Sequence, residues 1–299
     1  MKLQNISALR RIFSELPNIN MVIEKFHEVS NQCSKTTANA YSTSFAGAIK
    51  LLHKDFRKPI YNIYGFVRFA DEIVDTFHDF DKKTLLSEFK TETYKAIERK
   101  ISLNPILNSF QATMNEYEVD HQLIDAFFKS MELDLCKTSY DRVHYHEYIY
   151  GSAEAVGLMC LTIFCEKDST KYCQLMPYAR SLGAAFQKVN FLRDVKSDYE
   201  LLQRTYFPGI DFKNFDTISK RNIEEEIMND FLHAYEGITR LPLKARFGVY
   251  VAYKYYLSLF RKIRRTHAEK ILTGRIRIPN YYKAFIVARA GIANRLKLI

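Results

Sequence analysis

Residues 66–75, FVRFADEIVD, set three acids, Asp71, Glu72 and Asp75, among Phe66, Val67, Phe69, Ala70, Ile73 and Val74, with Arg68 beside them. Residues four apart share a helix face, so Asp71 and Asp75 stand one above the other and their like charges repel. An apolar helix carrying such a pair expects a cation. A second acidic stretch, AFQKVNFLRDVKSDYE at 185–200, spaces Gln187, Asn190, Asp194 and Asp198 by 3, 4 and 4 residues, again one stripe, with Arg193 next to it. Hard divalent cations prefer oxygen donors, and Mg²⁺ binds through a few carboxylates while sharing its shell with water and phosphate oxygens. Two such walls face to face would fit a diphosphate bridged by Mg²⁺. One D-x-x-x-D is as ordinary as a solvated helix face, but two matched stripes on otherwise apolar helices are poorly explained by solvation.

The elements that must hold these stripes follow from periodicity. Apolar residues recur at helical spacing almost throughout and alternating strand patterns are scarce. Helices are predicted at 20–33, 37–53, 59–78, 83–100, 105–117, 120–137, 142–165, 171–200, 217–238, 243–272 and 280–296, with breaks at HDFDKK, SLNP, EKDST, FPGIDFKNFD and RLP. No low-complexity linker divides the chain. The expected fold class is therefore all-α, a single domain over 20–299 after an N-terminal extension at 1–19.

Composition narrows the function classes. A 299-residue chain with 47% hydrophobic residues, 10 Gly and 7 Pro can bury a large core and is not disordered. The five cysteines form no CxxC pair, and with no secretory signal or long apolar run the expected place is the cytoplasm, with reduced thiols. Charge is uneven. Residues 240–299 hold 15 Lys/Arg against one acid, Glu269. Nucleic acid, an anionic membrane surface or an anionic substrate could each meet that surface; a nucleic-acid binder leaves the acidic stripes unexplained, so none is expected. The terminal YYKAFIVARAGIANRLKLI mixes apolar and basic residues and suits peripheral contact with the inner face of a membrane. His144 and His146 lack partners for a zinc site and read as a polar helix start, Cys160 and Cys165 as small core residues, and YVAYKYYLSLF first as core packing.

Taken together, YSTSFAGAIKLL from 41, YGFVRFADEIVD, YIYGSAEAVGLM, LGAAFQKVNFLRDVKSDYE, RTYFP and RIRIP from 275 resemble the squalene/phytoene synthase family of head-to-head prenyl synthases, in the arrangement of its bacterial phytoene synthases. The resemblance implies an all-α isoprenoid-synthase fold with helices around a central cavity, its mouth flanked by the two acidic motifs. It places metal ligands at Asp71, Asp75, Asn190, Asp194 and Asp198. It places substrate contacts at Tyr41, Ser42, Thr43, Ser44, Tyr64, Arg68, Gln187, Arg193, Tyr206, Tyr256 and Arg275, and proton transfer at Tyr148. Arg68 and Arg193 would act on the departing diphosphate. Two departures stand out: Ala153-Glu154 where the family often has Ala-Gly, and ELLQRTYFP where a Gly usually precedes Arg-x-Tyr.

The implied cofactor is Mg²⁺, with Mn²⁺ as an alternative and no NAD(P)H. The implied substrate is a prenyl diphosphate, and the implied reaction joins two geranylgeranyl diphosphates into phytoene. The alternatives are a squalene or dehydrosqualene synthase using farnesyl diphosphate and, more distantly, a silent assembly relative with eroded motifs.

Overall fold

A computed structural model describes residues 19–136, 139–200, 204–210, 215–272 and 274–296, without the side chains of 19–20 and 197–200. The expected extension, apart from Ile19, thus lies outside the described residues, as does the side chain of Asp198. The chain runs α1 (Ile19–Tyr41), α2 (Thr43–Ile49), α3 (Lys54–Asp75), α4 (Lys82–Arg99), α5 (Pro105–Tyr117), α6 (His121–Cys136) and α7 (Arg142–Ile149). A π-helical turn (Tyr150–Glu154) leads into α8 (Ala155–Phe164), α9 (Ser169–Glu200), α10 (Thr217–Arg240), α11 (Leu243–Arg264), the short α12 (Ala268–Ile271) and α13 (Asn280–Arg295). No strand occurs among the described residues; an isolated parallel bridge joins Ser139 to Thr205.

Helix α3 explains the opening motif. Phe66, Ala70, Ile73 and Val74 are buried on its inner side. The Phe66 ring stacks on Phe110 at 3.8 Å and meets Phe127 at 5.3 Å and Phe89 and Phe128 at 5.6 Å. Truncating such a side chain costs about 3–5 kcal/mol. The acids are not sealed into this core, contrary to what their apolar neighbours suggest: Asp71 and Glu72 are half-buried and Asp75 is exposed. The apolar residues occupy the opposite face, which leaves the acids on a wall.

A polar seam fixes α3 against α1 and α5. Ser34 shares a hydrogen bond with Ser109 at 2.7 Å, and the Asn62 amide donates to Asn31 at 2.8 Å and to Thr113 at 3.0 Å. Buried polar groups must find such partners, and their geometry sets one register. Gly65 makes the approach feasible, because a Cβ there would lie 2.8 Å from the Ser34 hydroxyl oxygen.

Local chemistry moves several predicted boundaries. The break expected at 34–36 falls instead at Ser42, which caps α2 by accepting from the Phe45 amide at 3.1 Å. Upstream, Ser30, Asn31, Thr37 and Asn39 each bond back to the carbonyl four residues earlier, so polar side chains that favour turns stay within the helix. Helix α3 begins at Lys54, with Pro59 inside it, rather than at 59. The helix expected at 243–272 is interrupted after Arg264, and that expected at 142–165 contains the π turn. Gly151 lies so close to α6 that a Cβ would stand 2.1 Å from the Ala126 carbonyl, and Gly183 of α9 abuts Ala153. The π turn thus packs closely on both α6 and α9, a placement often met beside functional sites.

Candidate active site

On the first wall, Arg68 pairs with Glu72 one turn on, and its guanidinium lies over the Tyr41 ring, 4.4 Å from the centroid. Arg68 Nε is buried and without a partner among the described residues. That orphan donor points to an acceptor that arrives with a ligand. Asp71 is half-buried; desolvation, then the neighbouring Asp75 charge, raise its carboxyl to about 8, with Arg68 opposing. Tyr64, packed on Phe45 at 5.7 Å, is pushed up to about 12 by desolvation and feels the charges of Arg68 and Asp71. Ser42 and Thr43 open α2 beside them, and Ser44 is half-buried in the same turn.

On the second wall, α9 holds Asp194 in a two-arginine clamp. Arg193 Nε reaches both Asp194 oxygens at 3.0 and 3.1 Å, and Arg275 Nε lies 2.9 Å from Oδ1. Asn190 donates to Gln187 at 3.3 Å and accepts from the Tyr256 hydroxyl at 3.4 Å. The Tyr256 ring stacks on Phe186 at 3.9 Å. Lys188, itself buried, faces the other way and pairs with the half-buried Glu226 and Asp230 of α10, which anchors the helix.

Behind both walls lies a buried network that the sequence reading missed. Asp134 of α6 accepts from the Tyr148 hydroxyl at 2.6 Å, from Tyr140 at 2.7 Å and from Tyr206 at 3.3 Å. Arg204 donates to the Asp134 carbonyl at 2.8 Å and to Asp75 Oδ1 at 3.1 Å, tying this network to the first wall. Desolvation raises the Asp134 carboxyl to about 6, against the pull of Arg204 and the tyrosine hydrogen bonds. Burial, then the Asp134 charge, hold Tyr148 well above the usual phenol range, so it is a protonated donor at neutral pH. Tyr206 lies flat on Phe191, centroids 4.1 Å apart, and the Ser139–Thr205 bridge brings Tyr140 and Tyr206 together.

A sequence profile of the squalene/phytoene synthase family matches residues 38–282, most of the chain and every motif above. The chain belongs to this family. It is 27% identical to the 4,4'-diapophytoene synthase of Staphylococcus haemolyticus over 64% of its own length and 66% of that protein's. It is 25% identical to the phytoene synthase of Cereibacter sphaeroides, over 77% and 70%, and 27% identical to the chloroplastic phytoene synthase 1 of Zea mays, over 79% and 60%. The chain thus spans about two-thirds of these relatives' lengths. In fold it is similar to a dehydrosqualene synthase crystallised with a ligand, with a TM-score of 0.76 at 20% identity over 91% of this chain and 98% of that one. The squalene synthase HpnC of Alicyclobacillus acidocaldarius gives a TM-score of 0.68 at 19% identity, over 82% and 95%. The all-α isoprenoid-synthase fold is thereby shown.

Within this family fold, the described residues contain no group of three His, Cys, Asp or Glu gathered as a ready-made metal centre. The donors come in smaller sets, Asp71 with Asp75 on one wall and Asn190 with Asp194 on the other. That arrangement fits Mg²⁺, which takes one or two carboxylates and completes its shell with water and phosphate. The Asp71 carboxyl is raised first by its desolvation and then by the Asp75 charge beside it. Glu154, the departure from the family pattern, has its own counter-charge in Arg180 at 2.6 Å.

Two missed residues carry a signal in hindsight. Asp134 follows Phe127 by seven positions and Met131 by three, so it lies on the core stripe of α6, where an isolated acid needs partners. Arg204 begins RTYFP, but nothing in its spacing marks it as buried.

Proposed function

We propose that this chain is a phytoene synthase, joining two geranylgeranyl diphosphates head to head. The observation that carries the reading is the pairing of two acid-bearing, arginine-lined walls with a protonated tyrosine–carboxylate network directly behind them. Asp71, Asp75, Asn190, Asp194 and Asp198 would hold Mg²⁺, which when bound supplies Lewis-acid neutralisation of the diphosphate oxygens. Mn²⁺ would serve in its place, and no nicotinamide is needed.

Arg68 Nε would meet the departing diphosphate, and Arg193 and Arg275 would turn to it from Asp194. Fixed cations there act as negative charge develops on the leaving group. Rupture of the first allylic C–O bond leaves a carbocation that the double bond of the second substrate attacks. Proton loss closes a cyclopropylcarbinyl diphosphate; a second C–O rupture, rearrangement and a second proton loss give the linear hydrocarbon and a second diphosphate. Tyr64, Phe45, Phe186 and Tyr256 supply aromatic faces toward cationic intermediates. A proton accepted at Tyr148 Oη passes on as the tyrosine's own proton moves to Asp134, whose carboxyl near 6 makes it a useful base at neutral pH.

Two of the named relatives are phytoene synthases, which favours the longer substrate; the staphylococcal relative, a 4,4'-diapophytoene synthase, supports dehydrosqualene synthesis from farnesyl diphosphate as the second reading. The deciding experiment is incubation of the purified protein with Mg²⁺ and either farnesyl or geranylgeranyl diphosphate, followed by mass spectrometry of the extracted hydrocarbon. A C40 product formed without NADPH is expected. A C30 product would select the second reading, and a product two hydrogens richer with an NADPH requirement would overturn termination by proton loss.

A further inference from the structure

Helix α13 is apolar on two opposite sides. Ile286 and Ala290 are buried where the helix packs along α11. On the other side Tyr281, Phe285, Ile292 and Leu296, spaced by 4, 7 and 4 residues, form one stripe, and they are 78%, 55%, 63% and 64% exposed. A surface helix of a soluble protein ordinarily turns a polar face outward. A contiguous exposed apolar stripe signals a missing partner.

The charges around the stripe say what that partner is. Arg289 and Arg295 flank it on α13 and are exposed, and so are Arg277 just before the helix and Lys262, which donates to the Arg277 carbonyl at 2.7 Å. No acid occurs anywhere in 270–299. Apolar residues in the middle, cations at the edges and no carboxylate to repel phosphate match a helix lying in the interface of an anionic bilayer. Nucleic acid would meet the same cations but leave the apolar stripe wet. The helix is also tied to the site: Lys283 Nζ donates to Thr43 Oγ1 at 2.9 Å, and Arg275, five residues before α13, holds Asp194.

We propose that α13 is an interfacial helix that seats this face of the protein on an anionic lipid bilayer, with Phe285, Ile292 and Leu296 entering the acyl boundary and Arg277, Arg289 and Arg295 meeting the headgroup phosphates. Helix α2, bonded to α13 through Thr43, then lies close to the lipid, where a ligand with a long apolar chain would dissolve.

The chain contains no tryptophan, so a single introduced one reports its own surroundings. Phe285→Trp is expected to shift its emission to the blue, and to be quenched by bromine-labelled lipid, with vesicles containing phosphatidylglycerol. Phosphatidylcholine vesicles should give little response, and added salt should weaken the effect. Leu103→Trp, 93% exposed in the turn between α4 and α5, should not respond. If Phe285→Trp fails to fold by circular dichroism, Ile292→Trp reads the same stripe. The double variant Arg289→Glu/Arg295→Glu should lower vesicle affinity at least ten-fold without changing turnover in detergent. No shift on the α13 stripe, a shift at Leu103→Trp instead, an equal response to neutral vesicles, or a blue shift at rising protein concentration without lipid would each overturn the proposal. No prenyl diphosphate enters the binding assay, so its outcome is independent of the reaction proposed above.

Discussion

The two acidic walls look alike in sequence and differ in how they are balanced. On α9, Asp194 is held by Arg193 and Arg275. On α3, Arg68 is taken by Glu72 and Arg204 by Asp75 and Asp134, which leaves Asp71 with no ion-pair partner among the described residues and a carboxyl raised to about 8. Similar spacings therefore place one carboxyl, Asp71, without an ion pair among the described residues and another, Asp194, between two arginines. Under the proposed function, the first wall would take the cation, and Arg193 and Arg275 at the second would turn from Asp194 to the anionic oxygens of the ligand.

The largest effect that could break this contrast comes from the paired variants Asp71→Asn and Asp194→Asn. Both should lower kcat by at least about 10²–10³-fold, the scale of losing one fixed stabiliser of developing charge. Their metal-free stabilities should move in opposite directions. Asp71→Asn removes the cost of desolvating or protonating that carboxyl on folding, and the melting temperature should rise by the equivalent of about 1–3 kcal/mol. Removing Asp194's charge takes an ion pair from each of two arginines, and the melting temperature should fall. Equal shifts in thermal unfolding would show that the walls are balanced alike.

Next comes the network behind them. Tyr148→Phe and Asp134→Asn should each reduce kcat by about 10²–10⁴-fold, the usual range for a positioned acid or base. Calorimetric affinity for Mg²⁺ with an inert diphosphate should stay within a few-fold of wild type. A loss confined to affinity would make this network part of the first wall rather than a proton path.

How much of this was legible beforehand depended on repetition. Stripes such as Gln187, Asn190 and Asp194 repeat at helical spacing, so the walls and most helices could be read directly, and Phe66, Ile73 and Val74 marked the core face of α3. Asp134 and Arg204 are single residues whose meaning comes from chain segments 70 positions apart. Of their partners, Tyr140 and Tyr206 flank the tertiary bridge at Ser139–Thr205, and Tyr148 joins them from α7. The early end expected for the first helix failed for a related reason: Ser30 and Asn31 look like turn residues locally, but Ser30 accepts from Asn108 and Asn31 from Asn62.

A pH titration sharpens the comparison further. Asp71 and Asp134 both have folded-state carboxyls above their unfolded value of 3.8, near 8 and 6. The native state therefore binds more protons than the unfolded state between about 4 and 8, and metal-free stability should rise as pH falls through that window. Asp71→Asn should flatten the upper part, from about 8 to 6, where Asp71 acts alone, and roughly halve the slope from about 6 to 4, where Asp134 still contributes. Saturating Mg²⁺ with an inert diphosphate should flatten the same upper part in wild type. A slope that persists across that upper part in Asp71→Asn would assign the uptake of protons elsewhere.

The smallest effect concerns redundancy on the second wall. Arg193 and Arg275 both serve Asp194, but Arg193 is adjacent in the helix and reaches both oxygens, while the Arg275 side chain is 51% exposed. Solvent screening keeps such an exposed pair to about 0–1 kcal/mol. Arg275→Ala should therefore barely change the metal-free melting temperature, because Arg193 still holds Asp194. Arg193→Ala should cost more, and the double variant more than the two singles together, since only then does Asp194 lose both arginines. In turnover, Arg275→Ala should lower kcat by about ten-fold with KM little changed if it turns to the leaving diphosphate, whereas a rise confined to KM would make it a uniform binder. Strict additivity of the two stability losses would show that each arginine acts alone, and that the second wall is no better neutralised than the first.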